Sequence, residues 1–334
     1  MSGEYHMSMS QGSRALGLAV SIFVFASVTA AAQKPDDGTK ILTVHRGGQP
    51  AGATELLLLP RPQELTDADA FPLYAKAVKA MPKDLDWDKI KAWRQMPVKD
   101  RPQQEVASVL RSFDAILPLL DQAAKCKRCS WPLQVEDNPP INLNVCRNMS
   151  FLIALKARSE LARGDYASCV RTLGTDLALA KHFSAGPSVI HLLLGVAIAA
   201  IVYGEIELYV QQPGARSLEA AIRAIPKPMF DEKHSELYGM DEASRSRTQL
   251  LLRRANRHAI ALQYIEALRQ HATKTGKWPQ SLDELKADLP NDPVTGKPFA
   301  YTRPSDNQAI LEGVLAAGGD AKKDAIRYEL TLAK

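Results

Sequence analysis

A long series of apolar residues at helical spacing places the strongest constraint on the fold. From Leu251 to Ala272 the apolar positions alternate steps of three and four. This period predicts one long amphipathic helix. Because a single helix cannot bury its apolar stripe by itself, other elements have to pack against it. The charged residues that we expect on its other faces are Arg253, Arg254, Arg257, Glu266 and Arg269.

The composition is that of a folded globular protein. Of the 334 residues, 46% are hydrophobic and 24% are charged, which suits one large domain or two ordinary ones. The 42 basic residues are balanced by 37 acidic ones, and the basic residues cluster only as pairs. This pattern indicates solvated helix faces, so we expect no nucleic-acid partner.

The N-terminus carries a targeting signal. Arg14 precedes an uncharged run, residues 15–32, which has an apolar centre and ends in small residues. A basic start, an apolar centre and an A-x-A ending predict a secretory signal peptide over residues 1–32. The alternative is an uncleaved N-terminal membrane anchor, since the run approaches the length of a span. We therefore expect an exported protein, periplasmic or secreted, that has no membrane span after cleavage.

The mature chain divides into an extended lead-in, a helical domain and a C-terminal module. Residues 33–65 contain KILTVH and TELLLLP, which predict two short strands or extended segments. Residues 66–240 form the helical domain, with Thr66 predicted to cap its first helix and Pro118 predicted to kink a later one. Residues 241–334 combine the long helix with a small α+β module.

Two further patterns belong to the helical domain. A helix over residues 152–162 leads into a Gly164-Asp165 turn, and Asp165 is placed to cap the next helix. This helix–turn–helix resembles a tetratricopeptide-type hairpin. Residues 189–203 are apolar apart from His191 and are followed directly by acidic residues. They predict a buried central helix in preference to a membrane span.

The four cysteines leave more than one interpretation open. Cys126 and Cys129 form one close pair, whereas a structural zinc site usually has two such pairs. The surrounding sequence is not that of a thioredoxin-like redox site either. In an oxidising compartment, a disulfide from Cys126 or Cys129 to Cys146 is expected. Cys169 falls on an apolar helix face and is predicted to be a buried thiol.

The stretch at residues 276–302 differs from the helical sequence before it, with four prolines and two glycines. An aromatic-proline pair is placed to staple the end of the long helix, and an Asp-Pro pair with a glycine to form tight turns. These turns lead towards a strand that starts near Phe299. The residues with these predicted structural roles are Trp278, Pro279, Asp292, Pro293, Gly296 and Tyr301.

Residues 250–334 resemble the C-terminal half of a type II secretion major pseudopilin. The shared pattern is a long helix, a glycine, an aromatic-proline pair, a short helix and a D-P-x-x-G-x-P-aromatic-x-Tyr turn. The resemblance implies a small antiparallel β module, in which the tail supplies further strands. The chain lacks the basic leader and Gly-Phe cleavage site of a pseudopilin, so we expect no pilus-like fibre. Pseudopilins bind calcium in the final loop, where this chain offers Asp320 and Asp324; we expect no metal ion and no other cofactor.

The rest of the chain resembles uncharacterised secreted proteins common in planctomycetes and their relatives. The matching segments are LLLLPRPQELTDADAFPLYAKAV, CSW, LARGDYASC and PSVIHLLLGVAIA. The resemblance spans nearly the full length and implies architecture and export, without an activity. Together these patterns predict a mainly α fold, in which a helical body with a tetratricopeptide-like hairpin carries a small C-terminal antiparallel β module.

The sequence favours a non-enzymatic protein. It contains no G-x-S-x-G, H-E-x-x-H, phosphate-loop or Rossmann pattern. We expect an exported envelope protein that acts as a scaffold or protein-interaction module, with an envelope protein as partner and its oligomeric state open. The alternative is an exported hydrolase-type enzyme with a site between the helical body and the C-terminal module. Its candidate residues are His182, His191, Asp165 and Glu205.

Overall fold

The fold is mainly α, as the sequence predicts. The computed structural model describes residues 38–48, 55–132, 141–234, 237, 239–315, 320 and 324–334, so the predicted signal peptide lies outside the described residues. Within these ranges the chain forms nine α-helices, one four-stranded sheet and one pair of short strands.

The elements follow one another in this order. The helices are α1 (Phe71–Ala80), α2 (Trp87–Gln95), α3 (Gln103–Phe113), α4 (Leu117–Ala124), α5 (Leu143–Ala162), α6 (Tyr166–Ser184), α7 (Val189–Tyr209), α8 (Glu219–Arg223) and α9 (Glu242–Thr275). The strands are β1 (Lys40–Val44), β2 (Thr66–Asp69), β3 (Cys126–Arg128), β4 (Ala300–Ser305), β5 (Gln308–Gly313) and β6 (Ile326–Leu332). Short 3-10 helices cover Pro62–Glu64, Val98–Asp100 and Leu282–Leu285.

Helix α7 is the central helix of the body. It packs against α5, α6 and α9. Its sequence is apolar because most of its faces meet other helices, and this is the buried arrangement that the sequence predicts. Among the described helices, α7 is long and apolar enough to cross a membrane, and 56% of its apolar window is buried inside the protein.

The C-terminal sheet is mixed, which corrects the prediction of an antiparallel module. Its strand order is β1-β6-β5-β4, in which β4 pairs with β5 and β5 with β6 in antiparallel fashion. The fourth strand is β1, which pairs in parallel with β6 and places Lys40 opposite Tyr328. The sequence could not assign this partner, because the two strands lie at opposite ends of the described chain.

Of the two segments predicted as strands or extended chain, KILTVH contains β1, whereas residues 55–60 form no strand and bury Leu58 and Leu59 in irregular chain. Two other local predictions in the first half were wrong. Thr66 begins β2, which pairs with β3, so the first helix starts only at Phe71. The apolar stripe around Pro118 does not bend but breaks into α3 and α4.

Helix α9 extends through the middle of the molecule. Asp241 caps its start by accepting a hydrogen bond from the Ser244 backbone N–H at 2.9 Å, and Gly276 ends it in the left-handed conformation at φ 79°. The charged residues Arg257, Glu266 and Arg269 are buried, contrary to the prediction of polar outer faces. They are buried because the sheet and the loops before α8 cover the faces that a simple amphipathic pattern assigns to solvent.

Candidate functional site

Polar contacts from the helical body and the C-terminal sheet converge on one carboxylate, Glu207 on α7. This side chain is 1% exposed, although it is charged and lies near the end of an apolar helix. A buried carboxylate is stable only where donors replace its lost water. Glu207 therefore identifies a site whose partners have to converge from other elements.

Three donors reach the same oxygen of Glu207. Lys40 Nζ lies 2.6 Å from Oε1, the Tyr328 hydroxyl donates to Oε1 at 2.6 Å, and His258 Nε2 lies 2.7 Å from it. Lys40 comes from β1, Tyr328 from β6 and His258 from α9. We refer to these four residues as the Glu207 cluster; it joins α7 and α9 to two strands of the sheet.

The electrostatics of the cluster favour an ionised Glu207. Burial works to raise its pKa, but Lys40 and His258 outweigh burial and lower the pKa of Glu207 to about 2. Burial and the Lys40 charge together lower the pKa of His258, and burial beside Glu207 raises the pKa of Tyr328 well above its ordinary value. Glu207 is therefore ionised at neutral pH, and Lys40, His258 and Tyr328 surround its charge.

The cluster has the groups of a catalytic site but is arranged as a closed network. A carboxylate beside a histidine can orient an imidazole for general-base catalysis. Here, however, Nε2 of His258 is occupied by the carboxylate, and the side chain is only 15% exposed. Lys40, at 31% exposed, is the member that reaches solvent furthest. The geometry therefore suits a connection between two parts of the fold.

Two open clefts lie elsewhere. One, of about 360 Å³, is lined by residues around Arg46, Lys277 and the C-terminal Lys334. The other, of about 500 Å³, lies between α8, α9 and the segment from Glu284 to Asp288. Neither cleft is lined by a member of the Glu207 cluster, so neither brings a substrate-sized space to its polar groups.

The candidate catalytic residues from the sequence lie in separate surroundings. The Tyr74 hydroxyl lies 2.8 Å from His182 Nδ1, and His182 Nε2 lies 3.1 Å from the Cys126 carbonyl oxygen. His191 contacts the Ser188 hydroxyl at 2.7 Å. Trp131 packs near both histidines, so they belong to one aromatic cluster of the core.

Each acidic candidate lies near the opposite end of its helix from the histidine on that helix: Asp165 from His182 on α6, and Glu205 from His191 on α7. Asp165 caps the start of α6 by accepting a hydrogen bond from the Ser168 backbone N–H at 3.1 Å, whereas His182 lies near the other end of that helix. Glu205 on α7 accepts a hydrogen bond from Arg158 Nε at 2.5 Å. The four candidates therefore do not converge on a common reacting position.

The proline-rich stretch after α9 is anchored to the sheet by the residues predicted there. Trp278 is fully buried, and the Tyr301 hydroxyl donates to the Pro279 carbonyl at 2.8 Å. Asp292, in front of Pro293, accepts a backbone hydrogen bond from Gly296 at 2.8 Å, and Gly296 has φ 67°. This is the geometry of a tight turn that needs a left-handed residue.

Asp292 also has a contact that the sequence did not predict. Its carboxylate accepts a hydrogen bond from Arg257 of α9 at 2.8 Å, and both side chains are almost fully buried. Arg257 further donates to the carbonyls of Val314 and Asp324. The turn is thereby fastened to the long helix by a buried ion pair.

The two calcium candidates occupy the end of the loop before β6. The Asp324 carboxylate accepts hydrogen bonds from Arg254 and from the Asp320 backbone N–H, the latter at 2.7 Å. Within the described part of the chain, no group of three or more potential metal-ligating side chains is assembled. The carboxylate of Asp324 is thus neutralised by an arginine of α9.

The cysteines carry free thiols in the structure. Burial raises the pKa of the Cys129 thiol, and the charge of Asp69 adds to the rise. Cys169 is buried on α6, and burial followed by Glu160 raises its pKa. The expected disulfide to Cys146 stays a prediction.

Sequence reasoning did not identify the Glu207 cluster. The available signal was an acidic residue directly after a long apolar run, since a carboxylate in a buried helix requires partners. Its donors Lys40, His258 and Tyr328 are separated along the chain, and His258 looks like a member of an apolar stripe.

Comparison of the chain with protein-family models, curated proteins and solved structures found no match.

Proposed function

We propose that this protein is a non-enzymatic, exported protein of the cell envelope that acts as a scaffold or protein-interaction module. The observation that carries the proposal is the threefold donation to Glu207 by Lys40, His258 and Tyr328. Polar groups at the boundary of body and sheet are bonded to one another and fix the two parts together. This suits a protein whose task is to present a fixed surface.

The finer description of the protein belongs to the same proposal. The pattern over residues 250–334 supports a pseudopilin-like module, and the turn at Asp165 supports a tetratricopeptide-like hairpin of α5 and α6. The resemblance to planctomycete-type secreted proteins and the predicted leader at residues 1–32 support export to the periplasm or the outside. An envelope protein is the expected partner.

A capture experiment tests the scaffold proposal. The mature wild-type chain and a Lys40→Met variant serve as matched baits on envelope fractions of the source organism, with Lys79→Met, an exposed lysine of α1, as the control. Any captured protein is then purified and titrated against each bait. A saturable complex with wild type and Lys79→Met that Lys40→Met weakens supports a partner that recognises the assembled fold. The absence of any saturable complex contradicts the proposal.

A second candidate function is an exported hydrolase at the same boundary. It is favoured by one observation, the 2.7 Å approach of His258 Nε2 to the Glu207 carboxylate next to the solvent-reaching Lys40. Ester, peptide and phosphoester substrates test it with wild type, His258→Gln and His271→Gln. His271 is the matched control, since it lies on the same helix and its side chain is similarly exposed at 16%. Turnover lost only in His258→Gln would establish the enzyme and exclude the scaffold proposal.

A further inference from the structure

The Glu207 cluster contains two groups that can each carry a positive charge beside one carboxylate. Lys40 Nζ and His258 Nε2 lie 2.6 and 2.7 Å from the same oxygen, Oε1 of Glu207. The two nitrogens lie only 3.5 Å from each other. Because the carboxylate carries one negative charge, it balances the charge of one of these groups and not of both.

The contact between Lys40 and His258 is not a hydrogen bond. Nε2 of His258 faces an ionised carboxylate, which only accepts hydrogen bonds, so Nε2 carries a hydrogen and donates it. The lysine ammonium likewise has only hydrogens to donate. The 3.5 Å contact therefore joins two donors that share one acceptor. When the imidazole takes up a second proton, at Nδ1, it becomes a contact between two cations, which repel each other strongly where water is largely excluded.

In the described part of the chain, Glu207 and Lys40 are the charged groups that face His258. From α7, Tyr203 faces the imidazole with its ring, at 5.1 Å between the ring centroids. From β6, Tyr328 donates its hydroxyl to Glu207. Burial raises the pKa of both tyrosines, so they carry no charge at neutral or acidic pH. The arginines nearest to His258 along α9 are engaged in other ion pairs, Arg254 with Asp324 and Arg257 with Asp292.

Lys40 is the member of the cluster that can leave it. Its side chain is 31% exposed, compared with 15% for His258 and 1% for Glu207. It belongs to β1, which is an outer strand of the sheet. The flexible aliphatic stem of a lysine lets the ammonium turn to solvent while the backbone stays paired. His258 lies on a long helix in the middle of the molecule and stays beside the carboxylate.

We propose that acidification exchanges the cation that balances Glu207: His258 takes up a proton, and Lys40 moves out to solvent. The buried part of the cluster then keeps one anion and one cation, as before. The outer strand β1 loses its side-chain contact with α7, so the cluster acts as a pH-sensitive connection between the sheet and the helical body. The exchange goes beyond the proposed scaffold function and does not require it.

The electrostatics of His258 agree with the direction of this exchange. Burial lowers the pKa of His258, the Lys40 charge lowers it further, and Glu207 opposes both effects. A group whose pKa is lowered by folding contributes stability that is lost as pH falls through the folded pKa. Departure of Lys40 removes one of the two causes of the lowered pKa, and it leaves the imidazolium paired with Glu207.

Nuclear magnetic resonance of the histidine side chains tests the competition between the two cations. The imidazole signals of His258 are followed through a pH titration in wild type, Lys40→Met and Lys79→Met, and a His258→Gln sample identifies them. The proton affinity of His258 is expected to be roughly tenfold or more higher in Lys40→Met than in wild type. Lys79→Met, which removes the same charge from an exposed position on α1, should leave it unchanged. His271 should titrate alike in all three proteins.

Amide hydrogen exchange tests the release of β1 and needs no variant of Lys40. Protection of the β1 amides relative to those of β5 is expected to fall roughly tenfold in wild type between about pH 7 and about pH 5. The same fall is expected in His271→Gln, the matched control on α9. It should be absent in His258→Gln, because glutamine can donate a hydrogen bond to Glu207 but takes up no proton in this range.

Three results would overturn the proposal. An equal proton affinity of His258 in wild type and Lys40→Met would show that the lysine does not compete with the imidazolium. Constant protection of β1 in wild type down to about pH 5 would show that the strand is not released. An equal loss of protection in His258→Gln would assign the release to another group. If Lys40→Met does not fold, the hydrogen-exchange comparison decides the question without it.

Discussion

Lys40 Nζ lies 2.6 Å from Oε1 of Glu207, and this contact ties the first strand of the sheet to the central helix of the body. The lysine lies opposite Tyr328 in the β1–β6 register, and the Tyr328 hydroxyl donates to the same oxygen. Side chains from two neighbouring strands, Lys40 and Tyr328, thus contact one carboxylate. The sheet is positioned on the body by charge as well as by apolar packing.

Replacing Lys40 with methionine should destabilise the protein. Glu207 would keep its burial and lose the cation that stabilises its charge, and breaking a buried pair in this way costs about 3 kcal/mol. The free energy of unfolding from urea titration, followed by circular dichroism at pH 7, measures the loss. Lys79→Met on α1 is the control and should change this free energy by less than about 0.5 kcal/mol.

The double variant Lys40→Met/Glu207→Gln sharpens this prediction. With the buried charge also removed, the double variant should lose less stability than the sum of the two single variants. Additive losses would mean that Lys40 and Glu207 do not interact as the structure indicates.

The protein should lose stability between pH 6.5 and pH 4 through His182. Burial lowers the pKa of His182 from its ordinary 6.5 to about 4. A group whose pKa is depressed by folding contributes stability above its unfolded pKa, and this stability is lost as pH falls through the folded pKa. The expected contribution is about 3 kcal/mol. Unfolding free energies across this range should show a shallower decline in His182→Gln than in wild type, and an unchanged decline in His271→Gln.

Alanine at position 174 should be poorly tolerated. A Cβ at Gly174 of α6 would lie 2.2 Å from the backbone oxygen of Leu58, which cannot move aside as a flexible side chain would. Overpacking of this kind costs about 2 kcal/mol. Gly239, where a Cβ meets nothing within 4 Å, is the control. A Gly174→Ala protein as stable as Gly239→Ala would contradict the close approach of residue 58 to α6.

In protein isolated from an oxidising compartment, Cys146 should be linked to either Cys126 or Cys129. Cys126 and Cys129 lie in and just after β3, Cys146 follows in the first turns of α5, and Cys169 is buried on the next helix, α6. Peptide mapping by mass spectrometry without reduction identifies the pair, with a reduced and alkylated sample as the control. Closing the loop between Cys146 and either of the two earlier cysteines should stabilise the folded state by about 3 kcal/mol. Four alkylated thiols in the unreduced sample, or Cys169 in the bond, would contradict the prediction.

Local sequence patterns were sufficient to predict the long helices. Helix α9 follows its period of three and four, α7 follows its apolar run, and Asp165 caps α6 as its position predicts. In each case the deciding interactions lie within a few residues along the chain. Residues 55–60 show the limit, because the sequence left a strand and an extended segment both open there. An apolar run also suits irregular chain where a glycine such as Gly174 lets the backbone approach closely.

The Glu207 cluster could not be predicted in the same way. Its four members come from four elements, and each member alone has an ordinary explanation: an exposed lysine, a helix-end glutamate, a core histidine and a strand tyrosine. The same reason applies to Arg257 and Asp292, a buried pair between the long helix and a turn. Charge pairs of this kind follow from the tertiary arrangement, and a single sequence does not show which distant residues meet.

The parallel pairing of β1 with β6 has a consequence for the order in which the molecule is made. Strand β1 leaves the ribosome early, yet its hydrogen-bonding partner is the final strand of the described chain. Contacts between such distant segments form late, because closing a long loop has to precede any gain from pairing. The sheet, and with it the charge contacts of Lys40, therefore depends on a pairing that we expect to form late in folding.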